Sequence, residues 1–339
     1  MENTVSEEFR VYVSADEREQ ADFRTIGEAI QALPGEEQIP AVIKIAPGTY
    51  HEKLELRRAN VRLEGTGNKP GDTIITYDDY GFYRFPDGSK RGTFRSYTFL
   101  VYTHDVLFKN LTIENPSAPS VEKGQAIALY AEGNHIFAEN CHILGHQDTL
   151  FIGPLPEKEY EPNGFAGPTE HAPRINGYQH YKNCKISGDI DFIFGSGTAF
   201  FEHCTIISEP RLDAEGNLLK DQGYVTAPST PKDQPYGFVF HNCEFVSDCP
   251  KASVYLGRPW RDYGRCVLID CKLGAHIHPK GFHDWEKPHA HNTLFFGEYG
   301  SVGEGASGAR ADFVTGLKPE EVLAYKEEHI KNSTTQRSQ

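Results

Sequence analysis

A short motif recurs seven times along the 339 residues of this chain, and it constrains the fold more than any other feature of the sequence. Each copy consists of a polar, turn-forming residue, then Cys, Leu or Val, then a variable residue and a bulky apolar one. An apolar run precedes most copies, so each unit is predicted to contain two short strands joined by a turn. The copies begin at Asn60, Asn110, Asn140, Asn183, His203, Asn242 and Asp270.

The spacing between the copies is irregular. The shortest interval is 20 residues, from Asn183 to His203, and the others range from 28 to 50 residues. A coil of fixed size that carries loops of variable length is typical of a solenoid. We therefore predict an all-β, single-domain parallel β-helix over residues 1–339, in which the cysteines are buried core residues rather than catalytic or metal-binding groups.

Both ends of the chain carry short helical signals, as expected if a solenoid must cover its open ends. Apolar residues at helical spacing, ended by Pro34, predict an N-terminal helical cap at about residues 22–34. A C-terminal helix is predicted at about residues 319–330, and the polar tail 331–339 is predicted to fray.

Composition excludes several classes of partner. The formal charge is −14 and no block of Lys and Arg is present, which argues against nucleic acid and anionic membranes. No apolar stretch approaches the roughly 20 residues of a membrane span. The acidic first residues and the odd number of cysteines predict a cytoplasmic, reduced protein, or a secreted one if the chain has been trimmed of a leader. We expect a monomer.

Four polar side chains are embedded in apolar, strand-like sequence: Gln125, Gln147, Asp148 and Asp191. Amides and carboxylates in such surroundings cost free energy unless they are paired. Arg258 is a candidate partner, since a guanidinium can bind a carboxylate through two hydrogen bonds. The motifs of serine hydrolases, P-loop proteins and zinc proteases are all missing from the sequence.

These residues and their neighbours resemble the signature blocks of the pectin methylesterase (pectinesterase) family. The blocks stand in the family's order, and the resemblance extends over roughly residues 10–315. It implies a right-handed parallel β-helix. The blocks are Gln-Ala-Ile-Ala-Leu from Gln125, Gln-Asp-Thr-Leu from Gln147, Asp-Phe-Ile-Phe-Gly from Asp191, Leu-Gly-Arg-Pro-Trp around Arg258, and two shorter ones at 48–52 and 298–300.

The resemblance implies an aspartyl esterase that removes methyl esters from galacturonate units and releases methanol. Asp191 is then the nucleophile, oriented by Arg258, and Asp148 is the general acid and base. Gln125 and Gln147 donate hydrogen bonds to the oxyanion. The implied partners are methyl-esterified homogalacturonan or its oligogalacturonides, and no cofactor or metal is implied.

The two aspartates are expected to differ in protonation. Two carboxylates in one cleft repel each other when both are charged, which raises one pKa, whereas a neighbouring cation keeps the other ionised. Arg258 beside Asp191 therefore predicts an ionised Asp191 and a protonated Asp148.

Four aromatic residues lie within or beside blocks where the family places its substrate-stacking residues. Sugar rings present CH faces that pack on aromatic rings. By this resemblance Trp260, Phe151, Phe194 and Trp285 are predicted to contact the substrate, although the two phenylalanines are equally consistent with the core.

The segment between the two aspartates is longer than is common in the family. The extra residues, 152–172, are rich in Pro, Gly and charge, and they leave the strand next to the catalytic acid. We expect this loop to overhang the cleft and to favour short, soluble oligogalacturonides over polymer.

Other interpretations remain open at this stage. Asp148 and Asp191 could be the acid and base of a glycosidase, or the chain could be a calcium-dependent lyase or a non-catalytic carbohydrate-binding solenoid. A run of histidines is interpreted as a solvated loop rather than a metal site. These histidines are His276, His278, His283, His289 and His291.

Overall fold

The computed structural model describes residues 8–335. Over this range the chain winds through three sheets, named A, B and C, and each coil between residues 41 and 257 visits sheet A, then sheet B, then sheet C. Neighbouring strands of a sheet come from successive coils and pair in parallel. The predicted parallel β-helix is confirmed.

The strands of each sheet follow in spatial order. Sheet A contains Phe9–Val13, Ala41–Ile45, Val61–Gly65, Val106–Lys109, Ile136–Glu139, Tyr178–Lys182, Thr198–Glu202, Phe238–His241, Arg265–Ile269, Phe295–Tyr299 and Val314–Gly316. Sheet B contains Gly48–His51, Thr73–Thr76, Thr112–Glu114, His142–Leu144, Lys185–Gly188, Thr205–Ser208, Glu244–Ser247 and Lys272–Leu273. Sheet C contains Leu54–Leu56, Phe99–Tyr102, Leu129–Glu132, Leu150–Ile152, Ile190–Gly195, Tyr224–Pro228 and Tyr255–Gly257.

The repeat marks the turn from sheet A to sheet B. Six of its seven polar residues lie at this turn with φ between 51° and 53°, in the left-handed region that Asn, Asp and His tolerate best. Two of these side chains also contact each other, since Asn140 donates to Asn110 at 3.0 Å. The seventh copy, Asn60, lies at a different corner of the coil. It lies at the turn from sheet C into sheet A, where its φ is 58°. It matches the repeat because both corners favour the same residue types.

The cysteines of the repeat face the interior. Their thiols donate to backbone carbonyls of their own or the preceding coil, as Cys184 does to Ala138 at 3.3 Å and Cys204 to Tyr181 at 3.2 Å. All seven cysteines of the chain are free and buried, which confirms that they are core residues.

The N-terminal helix α1 spans Ile26–Gln31. Thr25 closes a capping box, and the carboxylate of Glu52 accepts the first two helical N–H groups at 2.9 and 2.8 Å. The helix is shorter than the predicted 22–34, because Phe23 pairs with the first strand of sheet A instead.

The remaining helices are short. Helix α2 spans Ser120–Lys123, α3 spans Pro319–Val322 and α4 spans Glu327–Thr335. None of the helices within residues 8–335 has the length and apolar character to cross a bilayer. Short 3₁₀ turns lie at Pro70–Asp72, Thr93–Arg95, Pro288–Asn292, Glu304–Ala306 and Leu323–Tyr325.

The C-terminal prediction needs two corrections. The helix predicted at 319–330 is interrupted at Lys326, whose backbone is extended, and the tail predicted to fray from 331 is helical as far as Thr335. Residues 336–339 lie outside the described part of the chain.

Helix α4 does not cover an open end of the solenoid. Its Ile330 is buried against Tyr178 and Phe200, which project from the outer face of sheet A. This outer face is apolar, and α4 shields part of it from solvent. The helix therefore packs against the side of the solenoid and does not cap its end.

Candidate active site

The five predicted catalytic residues come from loops and strands of sheet C. Gln125 precedes the strand Leu129–Glu132, Gln147 and Asp148 precede the next strand, and Asp191 lies in the one after that. Arg258 follows the strand Tyr255–Gly257. Stacking of the coils brings all five together, and they line one cavity of about 410 Å³.

A β-bulge directs Asp191 into this cavity. Ile190 pairs with Tyr224 and Ile193 pairs with Thr226, so two residues of this strand face one residue of the next. Asp191 has a φ of 49°. As a result its carboxylate lines the cavity, whereas Phe192 is in the core.

Arg258 binds Asp191 through two hydrogen bonds. Its Nε donates to Oδ1 at 2.9 Å and its Nη2 donates to Oδ2 at 2.7 Å. The guanidinium carbon also lies 3.9 Å from the ring centroid of Tyr224 and 3.7 Å from that of Trp285. The two rings and the carboxylate restrict the orientation of the guanidinium, and the guanidinium in turn orients Asp191.

The pKa values of both aspartates are raised, for partly different reasons. Burial raises the pKa of Asp148 well above its usual range, and the negative charge of Asp191 raises it further. Burial also raises the pKa of Asp191, but the cation of Arg258 opposes this shift. The arrangement favours Asp148 as the aspartate that keeps its proton.

Three of the four predicted aromatic residues line the cavity: Phe194, Trp260 and Trp285. Phe151 does not, so its predicted sugar contact is corrected. Its side chain is 0% exposed and packs beneath the cavity, with its ring 5.0 Å from that of Phe194. Strand alternation cannot distinguish a ring at the surface of the cleft from one directly below it.

The extra segment reaches the cavity, as predicted. Tyr160, Glu161, Gly164 and Phe165 are among the lining residues. The hydroxyl of Tyr160 donates to the backbone carbonyl of Trp260 at 3.3 Å.

Several lining residues were missed by the sequence analysis. Phe94 packs between Phe151 and Phe165, at ring distances of 5.2 and 5.8 Å, and Thr93 beside it also lines the cavity. Arg261, next to Trp260, was missed as well. A lone aromatic or cation in a loop has no periodicity, so only its place in the fold identifies it.

The described residues, 8–335, contain no group of three or more His, Cys, Asp and Glu that could hold a metal ion. The histidine-rich stretch is not uniformly solvated, which corrects that interpretation for His276. This side chain is 3% exposed, and burial lowers its pKa to about 4. His291, in contrast, contacts Asp284 at 3.0 Å near the surface.

Comparison with known proteins agrees with this geometry. The sequence matches the profile of the pectinesterase family over residues 10–155 and 172–331. This chain belongs to the pectinesterase family. The unmatched residues, 156–171, lie within the extra segment that reaches the cavity.

Similar proteins include plant enzymes. The pectinesterase/pectinesterase inhibitor PPE8B of Prunus persica is 34% identical over 292 residues, which are 84% of this chain and 49% of the relative. This pectinesterase family member thus spans about half the length of the curated relatives it matches.

Solved structures of similar proteins share the fold. Pectin methylesterase from carrot is 25% identical with a TM-score of 0.78, over 99% of this chain and 96% of that one. A pectin methylesterase in complex with a hexasaccharide is 27% identical with a TM-score of 0.77, over 95% of this chain and 97% of that one. These likenesses confirm the right-handed parallel β-helix.

Proposed function

We propose that this chain hydrolyses the methyl esters of galacturonate units in pectin and releases methanol. The observation that carries the proposal is the double hydrogen bond from Arg258 to Asp191 in the cavity that Asp148, Gln125 and Gln147 also line. A neutral ester requires a nucleophile, donors for the oxyanion and a proton for methanol, and this cavity contains a candidate for each.

The first half of the reaction forms an acyl-enzyme. A carboxylate oxygen of Asp191 attacks the ester carbonyl carbon, and the carbonyl electron pair moves onto oxygen, where the amides of Gln125 and Gln147 donate hydrogen bonds. Collapse of this intermediate breaks the bond to methoxide, which takes the proton of Asp148 and leaves as methanol. The product is an anhydride between Asp191 and the galacturonate.

The second half regenerates the enzyme. Asp148, now ionised, takes a proton from water as the water oxygen attacks the galacturonate carbonyl of the anhydride. The bond to Asp191 breaks, its carboxylate returns to Arg258, and the product leaves as galacturonic acid, which gives its remaining proton to the solvent. Asp148 is again protonated, so atoms and protons balance over the cycle.

Methanol release from methylated pectin tests this proposal directly. Asp191→Asn keeps the size of the side chain, and Asn tolerates the left-handed φ of 49° at this position. We expect this variant to bind oligogalacturonides but to lose turnover, because the carboxamide cannot form the anhydride. Substantial methanol release by the variant would contradict the assignment.

The same samples distinguish the alternatives. A glycosidase would form new reducing ends, and a lyase would form unsaturated products with their own absorbance. The relatives named above are pectinesterases and pectin methylesterases, which favours ester cleavage over both. Cell fractionation separates the cytoplasmic from the secreted location, and light scattering tests the expected monomer.

We further propose that residues 156–171 make this site selective for short oligogalacturonides. The insertion is held firmly at its base. Thr169 donates to the buried carboxylate of Glu132 at 2.7 Å and lies 2.5 Å from the hydroxyl of Tyr130. Arg174 donates to backbone carbonyls at both stems of the loop, including Pro156 at 3.3 Å and Thr169 at 3.1 Å.

The tip of the insertion contacts Arg261, which follows the last strand of sheet C. The guanidinium carbon of Arg261 lies 3.6 Å from the ring centroid of Tyr160, and Arg261 Nη2 donates to the carbonyl of Lys158 at 2.8 Å. Phe165 contacts both Trp260 and Phe94, at ring distances of 6.2 and 5.8 Å.

These contacts make a wall along the cavity. Phe94 precedes the strand Phe99–Tyr102 and Trp260 follows Tyr255–Gly257, and these strands are five steps apart in sheet C. The ring of Phe165 lies between the rings of Phe94 and Trp260 and joins them into one side of the cavity. A polymer extends beyond the cavity and therefore meets this wall, whereas a short oligomer can bind within the cavity alone.

Tyr160→Ala tests the wall with little risk to the fold, since this side chain is 65% exposed. We expect kcat/KM for polymeric pectin to rise severalfold relative to that for a methylated trimer, because the tip loses its contacts with Trp260 and Arg261. Ile175→Ala is the matched control, since Ile175 is 61% exposed and does not line the cavity. An unchanged ratio in an active Tyr160→Ala enzyme would contradict the proposal.

A further inference from the structure

Another buried carboxylate adjoins the strand that carries Asp191. Asp189 is 1% exposed and precedes Asp191 by two residues. Its Oδ2 accepts a hydrogen bond from the hydroxyl of Ser120 at 2.6 Å, and its Oδ1 accepts one from the N–H of Ile190 at 2.7 Å. No step of the reaction above uses this group.

The partner of Asp189 belongs to the segment that carries the first oxyanion amide. Ser120 is the first residue of α2, and its carbonyl accepts from the N–H of Gly124 at 2.8 Å, immediately before Gln125. The bond between Ser120 and Asp189 joins residues 69 positions apart. It thus connects the loop of Gln125 to the strand of Asp191.

The backbone around Asp189 also holds the general acid. The N–H of Asp148 donates to the carbonyl of Ile190 at 3.0 Å, and the N–H of Asp189 donates to the carbonyl of His146 at 3.2 Å. Asp189 therefore contacts or adjoins the segments of Gln125, Asp148 and Asp191.

The charged surroundings of Asp189 are mixed. Burial raises the pKa of Asp189, and the hydrogen bond from Ser120 and the positive charge of Arg211 oppose this rise. His146 Nδ1 lies 3.9 Å from Asp189 Oδ2. Burial raises the pKa of the Cys249 thiol, and the negative charge of Asp189 adds to this rise. Burial is the main cause of the raised pKa values of Asp148 and Asp191, and the negative charge of Asp189 adds to both rises.

We propose that Asp189 is a positioning residue, which holds the loop of Gln125 against the strand of Asp191 through Ser120 and sets the charge felt by the catalytic pair. This inference rests on the proposed esterase function. A carboxylate is costly to bury, and the hydroxyl and N–H donors compensate for only part of this cost. If the side chain at position 189 served packing alone, an uncharged residue of similar size would fill the space at lower cost.

The test compares Asp189→Asn and Ser120→Ala with the wild-type enzyme. In both variants we expect kcat for methanol release to fall at least about tenfold with KM little changed, because an oxyanion donor is displaced while substrate contacts remain. Ser117→Ala is the matched control. Its hydroxyl donates to the carbonyl of Asp78 at 3.0 Å, so it is a buried serine of the same connection with no bond to Asp189.

The pH profile separates positioning from simple loss of packing. Asp191 must be ionised and Asp148 protonated, so removal of a neighbouring negative charge in Asp189→Asn lowers both pKa values and shifts both limbs of the profile to lower pH. Ser120→Ala keeps the charge and should shift neither limb in this way. Unshifted limbs and an unchanged kcat in a folded Asp189→Asn enzyme would overturn the proposal.

Carboxyl titration by ¹³C NMR gives a readout that does not depend on turnover. The Asp148 signal should titrate at lower pH in Asp189→Asn than in the wild type, and an unmoved titration would reject the electrostatic part. A wild-type enzyme that releases no methanol would reject the esterase proposal instead, so the two failures are distinguishable.

Discussion

At the residue scale, the site is organised by the environment of each carboxylate rather than by carboxylates as such. Asp191 has Arg258 as a bidentate partner, whereas Asp148 is buried without a hydrogen-bonded cation and faces the charge of Asp191. Chemically identical groups therefore acquire opposite roles, as a nucleophile and as a proton donor. The ring sandwich of Tyr224 and Trp285 around Arg258 keeps this difference in place.

The raised pKa of Asp148 predicts a stability cost that depends on pH. The folded protein binds the proton of Asp148 more tightly than the unfolded chain does, so stability is lost as the pH rises from the unfolded pKa, near 3.8, towards the folded value. Asp148→Asn should abolish turnover yet raise the melting temperature at neutral pH. Each unit of pKa difference corresponds to about 1.4 kcal/mol.

Melting temperatures measured from pH 4 upwards check this expectation. The difference between Asp148→Asn and the wild type should grow with pH and then level off. Asp270→Asn is a suitable control, because it removes one negative charge at an exposed turn between sheets A and B, where Asn also tolerates the φ of 52°. A difference that is independent of pH would contradict the assigned origin.

At the element scale, the turns between sheets A and B depend on one residue in the left-handed region. Replacement of such a residue tests whether the backbone conformation or the side chain stabilises the turn. Asn183→Ala should lower the free energy of unfolding by about 1–2 kcal/mol, because a Cβ without a polar group disfavours this conformation. Asn183→Gly should cost less, since glycine adopts the φ of 53° freely.

Denaturant unfolding of the two variants gives the comparison. Equal losses in Asn183→Ala and Asn183→Gly would show that side-chain hydrogen bonds, and not the backbone conformation, stabilise the turn. Both variants should keep the wild-type rate of methanol release, because this turn is at the opposite side of the coil from sheet C.

At the scale of the whole molecule, stacked coils bury every thiol of the chain. Five of the seven cysteines stand in successive coils next to the same corner, and their thiols donate to backbone carbonyls. Such thiols react with a polar disulfide reagent only when the coils separate.

Thiol counting with a disulfide reagent checks this burial. The native protein should react at none of its seven cysteines on the timescale of minutes, and the protein in denaturant should react at all of them. Because the solenoid is one continuous stack, we expect the thiols to become reactive together as denaturant increases. Rapid reaction of several thiols in the native protein would contradict the description of a closed core.

Much of the fold could be predicted from the sequence because its causes are local. A left-handed turn selects Asn, Asp or His, and an inward position next to it selects Cys or a small apolar residue, so each coil repeats the same pattern. Local preference also explains why Asn60 fits the repeat at a different corner, since the turn between sheets C and A favours the same residue types. The polar residues Gln125, Gln147, Asp148, Asp191 and Arg258 were identifiable because they interrupt apolar strands or resemble family blocks.

Contacts between coils were decided only by the tertiary structure. The bulge at Asp191, the burial of Phe151 beneath the cavity and the hydrogen bond from Ser120 to Asp189 each join stretches far apart in the chain. A residue's own neighbours in sequence carry no signal of such a partner, because the free energy of the contact comes from packing and desolvation across coils. The sequence by itself thus determined which residues could do the chemistry, and the stacking of the coils determined how they are held.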